Sequence, residues 1–198
     1  MQNYIYGAGG HGKVVLDAMQ VAHINCSGFV DDREISAWAG LSVYRLSDLA
    51  LNAETYLHLA IGNSKTREKI AGILRNAKFF CVTHPTAAIA TSASIGSGTF
   101  FAAQSVVGPD VQVGNHCIIN HAAVVDHDCV VGDFSHIAPQ SSLGGGVKIG
   151  IGALIGAGAV ILPNLSIGNY AVVGAGAVVT KNIASGVTVI GNPAHLVK

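Results

Sequence analysis

The chain has 198 residues, 50% of them hydrophobic and 11% charged, with eleven Lys and Arg against eleven Asp and Glu. A formal net charge of zero leaves no electrostatic footprint for nucleic acid or for an anionic membrane surface, and no apolar run reaches the length of a bilayer span. Four cysteines, Cys26, Cys81, Cys117 and Cys129, lack C-x-x-C spacing, as expected for reduced thiols in a cytoplasmic protein. The strand-like run beginning within three residues of Met1 leaves no room for a signal peptide.

Residues 1–82 read as alternating strand and helix. NYIYG predicts a strand. HGKVVLDAMQVA places Val14, Val15, Ala18, Met19 and Ala22 on one helical stripe. CSGFVDD predicts a second strand ending in two acids, and TYLHLAIG a third. SKTREKIAGILRNA predicts a helix capped by Ser64, and KFFCV a short fourth strand. This order implies a small parallel sheet covered by helices. Gly7, Gly9 and Gly12 in YGAGGHG form a G-x-G-x-x-G turn, which brings a phosphate to the backbone N–H groups at the start of the helix near His11. Asp31 and Asp32 follow Gly12 by 19 and 20 residues, where a ribose hydroxyl is accepted. Some 80 residues hold about one half of a full dinucleotide fold. The expected ligand is therefore a nucleotide with a pyrophosphate rather than NAD, and the competing reading is a tight turn with no ligand.

From Ile89 the chain changes period. Sixteen consecutive hexads, from IATSAS to VTKNIA, begin with an apolar residue, carry Gly at the second position nine times, and keep the fifth position small or slim. Such a repeat outranks local propensity. Each hexad supplies one short strand and one corner, with the first and fifth residues pointing inward and glycine relieving strain at the corner. Three faces make an 18-residue triangular coil, and coils stack about 4.8 Å apart. Cys117 and Cys129 fall at the fifth position and are expected to be inert packing residues.

INHAAVVDHDCVVGDFSH breaks the pattern chemically, with Asn120, His121, Asp126, His127, Asp128 and His136. His127 is a third-position residue and is expected to point outward near a corner. Asp128 follows it and is expected to orient the imidazole. Eighteen residues on, directly above His127, stands Gly145, whose backbone N–H is expected to lie bare beside the ring. A base next to a free N–H suits acyl transfer, because the N–H receives a developing oxyanion.

A short N-terminal domain with YIYGAGGHG and DD, joined to hexads carrying VVDHDCVVGDFSH, resembles the sugar N-acetyltransferases of the sialic-acid O-acetyltransferase-like branch, above all the UDP-4-amino-sugar acetyltransferases of bacillosamine-type pathways. The resemblance covers nearly the whole chain. It implies an α/β half-Rossmann domain over residues 1–82, binding a nucleotide sugar, and a left-handed parallel β-helix with a C-terminal tail over 83–198. It implies a cytoplasmic homotrimer with active sites between subunits, acetyl-CoA as co-substrate, no metal, and a role in bacterial glycan or glycoprotein synthesis. His127 would be the general base and Asp128, where the family usually has Glu, its partner. His136, Gly145, Ala157 and Ala175 would hold acetyl-CoA, with Gly145 donating to the acetyl oxygen. Gly9, Gly10, His11, Asp31, Asp32, Gly62 and Asn120 would hold the sugar substrate. The expected reaction is N-acetylation of the 4-amino group of a UDP-linked amino-deoxy sugar; O-acetylation of a sialic acid and N-acetylation of a GDP-amino sugar fit the same fold and base. A more remote resemblance, to γ-class carbonic anhydrases, rests on His116 and His121. The third histidine of that family would fall at Phe80, so the zinc reading lacks a ligand. His84, in THPT, is expected at the joint between the domains.

Overall fold

The computed structural model describes residues 2–197. Its N-terminal part is built on a six-stranded sheet. The strands are β1 (Gln2–Tyr6), β2 (Gly28–Val30), β3 (Ala37–Trp38), β4 (Leu41–Tyr44), β5 (Thr55–Leu59) and β6 (Lys78–Phe79), in the order β3-β4-β2-β1-β5-β6. Every pairing is parallel except the β3–β4 hairpin. That hairpin carries no sequence signal, because AWAGLSVY has too short a first arm to show a period of two. Helices α1 (Gly10–Val21) and α2 (Ser64–Ile73) connect the parallel strands. The cap of α2 is Asn63 rather than Ser64: its side chain accepts from the Thr66 N–H at 2.9 Å.

From Val82 the chain winds into a three-faced parallel solenoid. Face I runs from Val82–Thr83 through Phe100–Phe101, Ile118–Ile119, His136–Ile137 and Leu154–Ile155 to Val172–Val173 and beyond. Face II runs from Ala88–Ile89 to Val178–Val179, and face III from Ser94–Ile95 to Ser166–Ile167. Each strand pairs with the one 18 residues on, as Val124 does with Ser142. Fourteen of the sixteen first positions are at most 4% exposed, and so are the fifth positions from Thr99 to Ala159. Cys117 and Cys129 are buried among them, and burial raises both thiols, Cys117 to about 12.

The second-position glycines serve a different purpose from the one expected. Left-handed corners fall at the fourth position, where Asp128, Phe134 and Tyr170 take φ of 55 to 60° without being glycine. A Cβ at the second position would instead strike the next coil, as at Gly132, where it would meet the Ile151 nitrogen at 2.8 Å.

The two parts share one core. Helix α1 and β2 bring Val15, Met19 and Phe29 against Val82, Phe100 and Ile118, the outward residues of the first coils of face I. The joint is fastened by Arg67 of α2, which is 1% exposed. Its guanidinium donates to the carbonyls of Ile61 and Gly62 on its own side, and of His116, Phe134 and Ser135 on the solenoid. Among the described residues no carboxylate bonds to it, and burial lowers its pKa to about 10. His84 sits where expected, its N–H donating to Phe101 as the solenoid begins.

Around Arg67 stand four histidines that burial keeps neutral: His11 with a pKa near 3, and His58, His116 and His136 near 4. His116 is stacked on Phe134 at 5.3 Å and meets Phe79 edge-on. Unfolding returns each ring to an ordinary pKa near 6.5, so the unfolded chain binds more protons below that pH and stability falls on acidification. Each such ring costs up to about 1.4 kcal/mol per pH unit in that window. The thermal midpoint is therefore expected to be nearly flat above pH 7 and to fall steeply between pH 6.5 and 4. Calorimetry in buffers across that range checks it, and a midpoint unchanged down to pH 4 would show that these rings are not held neutral.

Candidate active site

Two chemically distinct edges of the prism, both bordering face II, carry the residues of interest. The first lies between faces II and III. Here His127 follows the strand Val124–Val125 and points outward, its side chain 58% exposed. Asp128, in the left-handed corner at φ 60°, turns its carboxylate back so that Oδ2 lies 2.7 Å from the imidazole Nδ1. That turn lets the shorter Asp do what a Glu would do from a longer arm. The pairing fixes the tautomer: Nδ1 carries the proton toward Asp128, and Nε2 is left with its lone pair. The Asp128 bond, and then the nearby Asp126 charge, raise the imidazole pKa.

The ring lies against Gly145 one coil above. A Cβ at Gly145 would stand 2.5 Å from both Nε2 and Cε1, so only glycine admits the imidazole there. The Gly145 carbonyl accepts from Asn164, whereas its N–H donates to no protein acceptor among the described residues. An imidazole lone pair and a bare amide hydrogen therefore share one outward edge.

The second edge lies between faces I and II. His121, Ala157 and Ala175 stand here in one column 36 and 18 residues apart (157 − 121 and 175 − 157), Ala157 and Ala175 exposed. His136 is on the adjoining face I, at the seam with the N-terminal part. Its Nε2 accepts from Asn120 Nδ2 at 3.1 Å, and it also bonds to the Gly62 backbone. Asn120 Oδ1 in turn accepts from the His121 N–H at 2.9 Å. Burial is the main cause of the low His136 pKa, with the Arg67 charge second. A neutral His136 thus ties the Gly62 loop to Asn120. Beside it a cavity of about 370 Å³ opens between the start of α2 and face I, lined by Gly62, Lys65, His136, Leu154 and Tyr170.

The glycine loop divides its labour. At Gly7, φ is +116° and a Cβ would meet the Ala60 carbonyl at 2.8 Å; at Gly12 it would press on Phe29 at 3.1 Å. These two serve the fold. Gly9, Gly10 and Gly62 meet nothing within 4 Å and need no glycine for packing, so their bareness leaves backbone open to a ligand. Asp31 is spent on the loop itself: it accepts from the Ala8 N–H at 2.8 Å and pairs with Arg33, and it is held near pKa 2 chiefly by that arginine. Asp32 bonds to the Tyr6 hydroxyl at 3.0 Å. Both acids border a second cavity of about 360 Å³ with Gly9, Arg33, Ile61 and Thr66. Arg33 was not anticipated from the sequence, since an exposed arginine after two acids carries no motif. His11 turns into the seam, edge-on to Phe100 at 5.3 Å, with Nε2 buried and unpartnered.

His116 and His121, paired by spacing alone, are separated: one is packed between aromatic rings and the other lies at an exposed edge. Among the described residues no three His, Cys, Asp or Glu converge as a metal site, and no helix is long and apolar enough to cross a membrane.

Comparison with known proteins agrees with this division. Residues 3–74 match the PglD N-terminal domain, and residues 146–181 match the bacterial transferase hexapeptide, six repeats. A histidine-to-asparagine mutant of perosamine N-acetyltransferase from Caulobacter crescentus, solved with CoA and GDP-perosamine, is 33% identical over 100% of this chain and 97% of that one, with a TM-score of 0.96. The acetyltransferase domain of PglB from Neisseria gonorrhoeae, solved with acetyl coenzyme A, is 33% identical over 99% and 98% of the two chains, with a TM-score of 0.93. An uncharacterized protein of Acanthamoeba polyphaga mimivirus is 33% identical over 118 residues, and the chain spans 24% of the length of that curated relative. The fold and its edges thus define the class of hexapeptide-repeat acyltransferases. Within it, the chain belongs to the acetyltransferase family that joins a PglD-type N-terminal domain to a hexapeptide solenoid.

Titration followed by NMR is expected to find the His127 ring above the usual imidazole pKa, and to find it lowered in Asp128→Asn, which removes the first cause of the shift. Equal values in the two proteins would contradict the Asp128 pairing.

Proposed function

We propose that the protein transfers the acetyl group of acetyl-CoA to the 4-amino group of a UDP-linked amino-deoxy sugar of the 4-amino-4,6-dideoxy-N-acetylglucosamine type. The observation that carries this reading is the His127 imidazole, held by Asp128 at 2.7 Å and lying over Gly145 with its Nε2 free. The sugar amine attacks the thioester carbonyl while Nε2 takes the amine proton. The carbonyl oxygen becomes an oxyanion and is met by the Gly145 N–H. The C–S bond breaks, the amide forms, and the proton passes from His127 to the departing CoA thiolate. No acyl-enzyme is required, and Cys117 and Cys129, buried and with raised pKa values, are unsuited to form one.

The nucleotide is assigned to the cavity beside Asp32, with its diphosphate over the bare Gly9 and Gly10 and the start of α1. Asp31 acts there through the loop, and His11, Gly62 and Asn120 line the way from that loop toward the solenoid. The acetyl-CoA arm is assigned to the alanine column of Ala157 and Ala175, with its thioester end toward His136. Free thiols at all four cysteines fit a cytoplasmic setting.

In one chain the His127 edge and the alanine edge lie on opposite borders of face II. The outward residues of that face are Ala88, Val106, Val124, Ser142, Val160 and Val178, nearly all apolar. Packing this face around a threefold axis would bring the His127 edge of one subunit against the alanine edge of the next, a head-to-tail contact that closes on itself. We therefore read the protein as a homotrimer whose sites are shared between subunits. A GDP-linked 4-amino sugar is the second reading, favoured by the relative solved with GDP-perosamine.

A panel of UDP- and GDP-linked 4-amino sugars with acetyl-CoA, followed by thiol release, is expected to give turnover with the UDP compounds and a loss of at least about 10²-fold in His127→Ala. Full activity in that variant would remove the base. Mixing inactive His127→Ala with inactive Gly62→Trp subunits, which block the sugar loop, is expected to restore activity, because some shared sites then hold one intact edge of each kind. Failure of mixed trimers to recover activity would count against shared sites.

A further inference from the structure

The third residues of successive hexads form side-chain ladders. On the edge between faces III and I, each polar third residue caps the backbone N–H of the third residue one coil below. Asn115 Oδ1 accepts from the Ser97 N–H at 2.9 Å, Asp133 Oδ1 from Asn115 at 2.7 Å, Asn169 Oδ1 from Ile151 at 2.9 Å, and Ser185 Oγ from Asn169 at 3.0 Å. An exposed N–H at this position is thus the natural partner of whatever acceptor stands above it.

The edge between faces II and III carries, in the same register, Pro109, His127, Gly145 and Pro163. Pro163 stands over Gly144 as Asp133 stands over Gly114 and Asn169 over Gly150. A Cβ at Gly144 would meet the Pro163 ring carbons at 2.8 Å, and one at Gly150 would meet Asn169 Oδ1 at 2.5 Å. Pro163 has no acceptor to lower onto Gly145. Below His127, Pro109 has no N–H for the imidazole to cap, so nothing there draws Nδ1 away from Asp128.

We propose that Pro163 is a positioning residue for acetyl transfer: by filling the ladder site above Gly145 with a ring that accepts no hydrogen bond, it keeps the Gly145 N–H free for the acetyl oxygen. The inference rests on the reading of Gly145 as the oxyanion donor. It adds that the donor is available because a cap is excluded, and that a single side chain suffices to extinguish it.

The test is Pro163→Asn beside Pro163→Ala in the intact protein, measured by steady-state kinetics, thermal midpoint, and a crystal structure or glycine-selective amide exchange. In Pro163→Asn the new Oδ1 is expected to accept from Gly145, protecting that amide without lowering the midpoint. Its kcat is expected to fall about 10²-fold, the usual cost of one oxyanion donor, with the KM for acetyl-CoA unchanged. Pro163→Ala, which offers no acceptor, is expected to stay at least about tenfold above it. Loss of activity to the same extent in both variants would reduce Pro163 to a stiffener and overturn the inference. A Gly145 amide left uncapped in Pro163→Asn would also overturn it, while the donor reading would stand. A cap that forms while kcat holds would overturn the donor reading itself.

Discussion

Everything in this molecule depends on one register: a residue pairs with the residue 18 places further along. The parallel strands are two residues long, and none is stable alone. Stacking satisfies their backbone groups and at the same time sorts side chains into vertical columns. First and fifth positions become a continuous interior from Phe101 to Val179. Third positions become ladders along three edges. A catalytic pair can therefore be built from residues far apart in sequence, with a precision set by backbone hydrogen bonds rather than by loop packing. His127 over Gly145 is such a pair.

The same register explains how the two parts of the chain are joined. The first coils present Val82, Phe100 and Ile118 outward on face I, and α1 covers them. At the next coil the outward residue is His136, so the apolar column ends where chemistry begins. Arg67 fixes that boundary. A buried guanidinium without a carboxylate partner is costly unless its donors are met, and here they are met by carbonyls on both sides of the joint. Its charge also disfavours protonation of His116 and His136. The nucleotide-facing Gly62 and the solenoid are thereby held in one frame.

Much of this was legible from residue types. The hexad phase predicted which residues face inward, and the fifth-position cysteines are buried as that phase requires. His127 was expected outward beside Gly145 and is found there, because a period of 18 leaves no freedom in what stands above what. Legibility failed where position is set by partners remote in sequence. Asp31 looked like a ligand acid, but Ala8 and Arg33 occupy its oxygens. Asn63 displaced Ser64 as a cap by a shift of one residue. The β3–β4 hairpin has arms too short to carry a periodic signal.

The sequence alone determined the architecture, since a strict six-residue repeat has one economical way to bury its first and fifth positions. It also determined the edge chemistry, because the repeat turns order along the chain into height on the prism. Only the tertiary structure decided which glycines are spent on packing and which face open space, which acid is consumed by the loop, and which histidines are neutral. Those outcomes depend on burial and on contacts between the two parts, and no local pattern encodes the environment that a distant segment will supply.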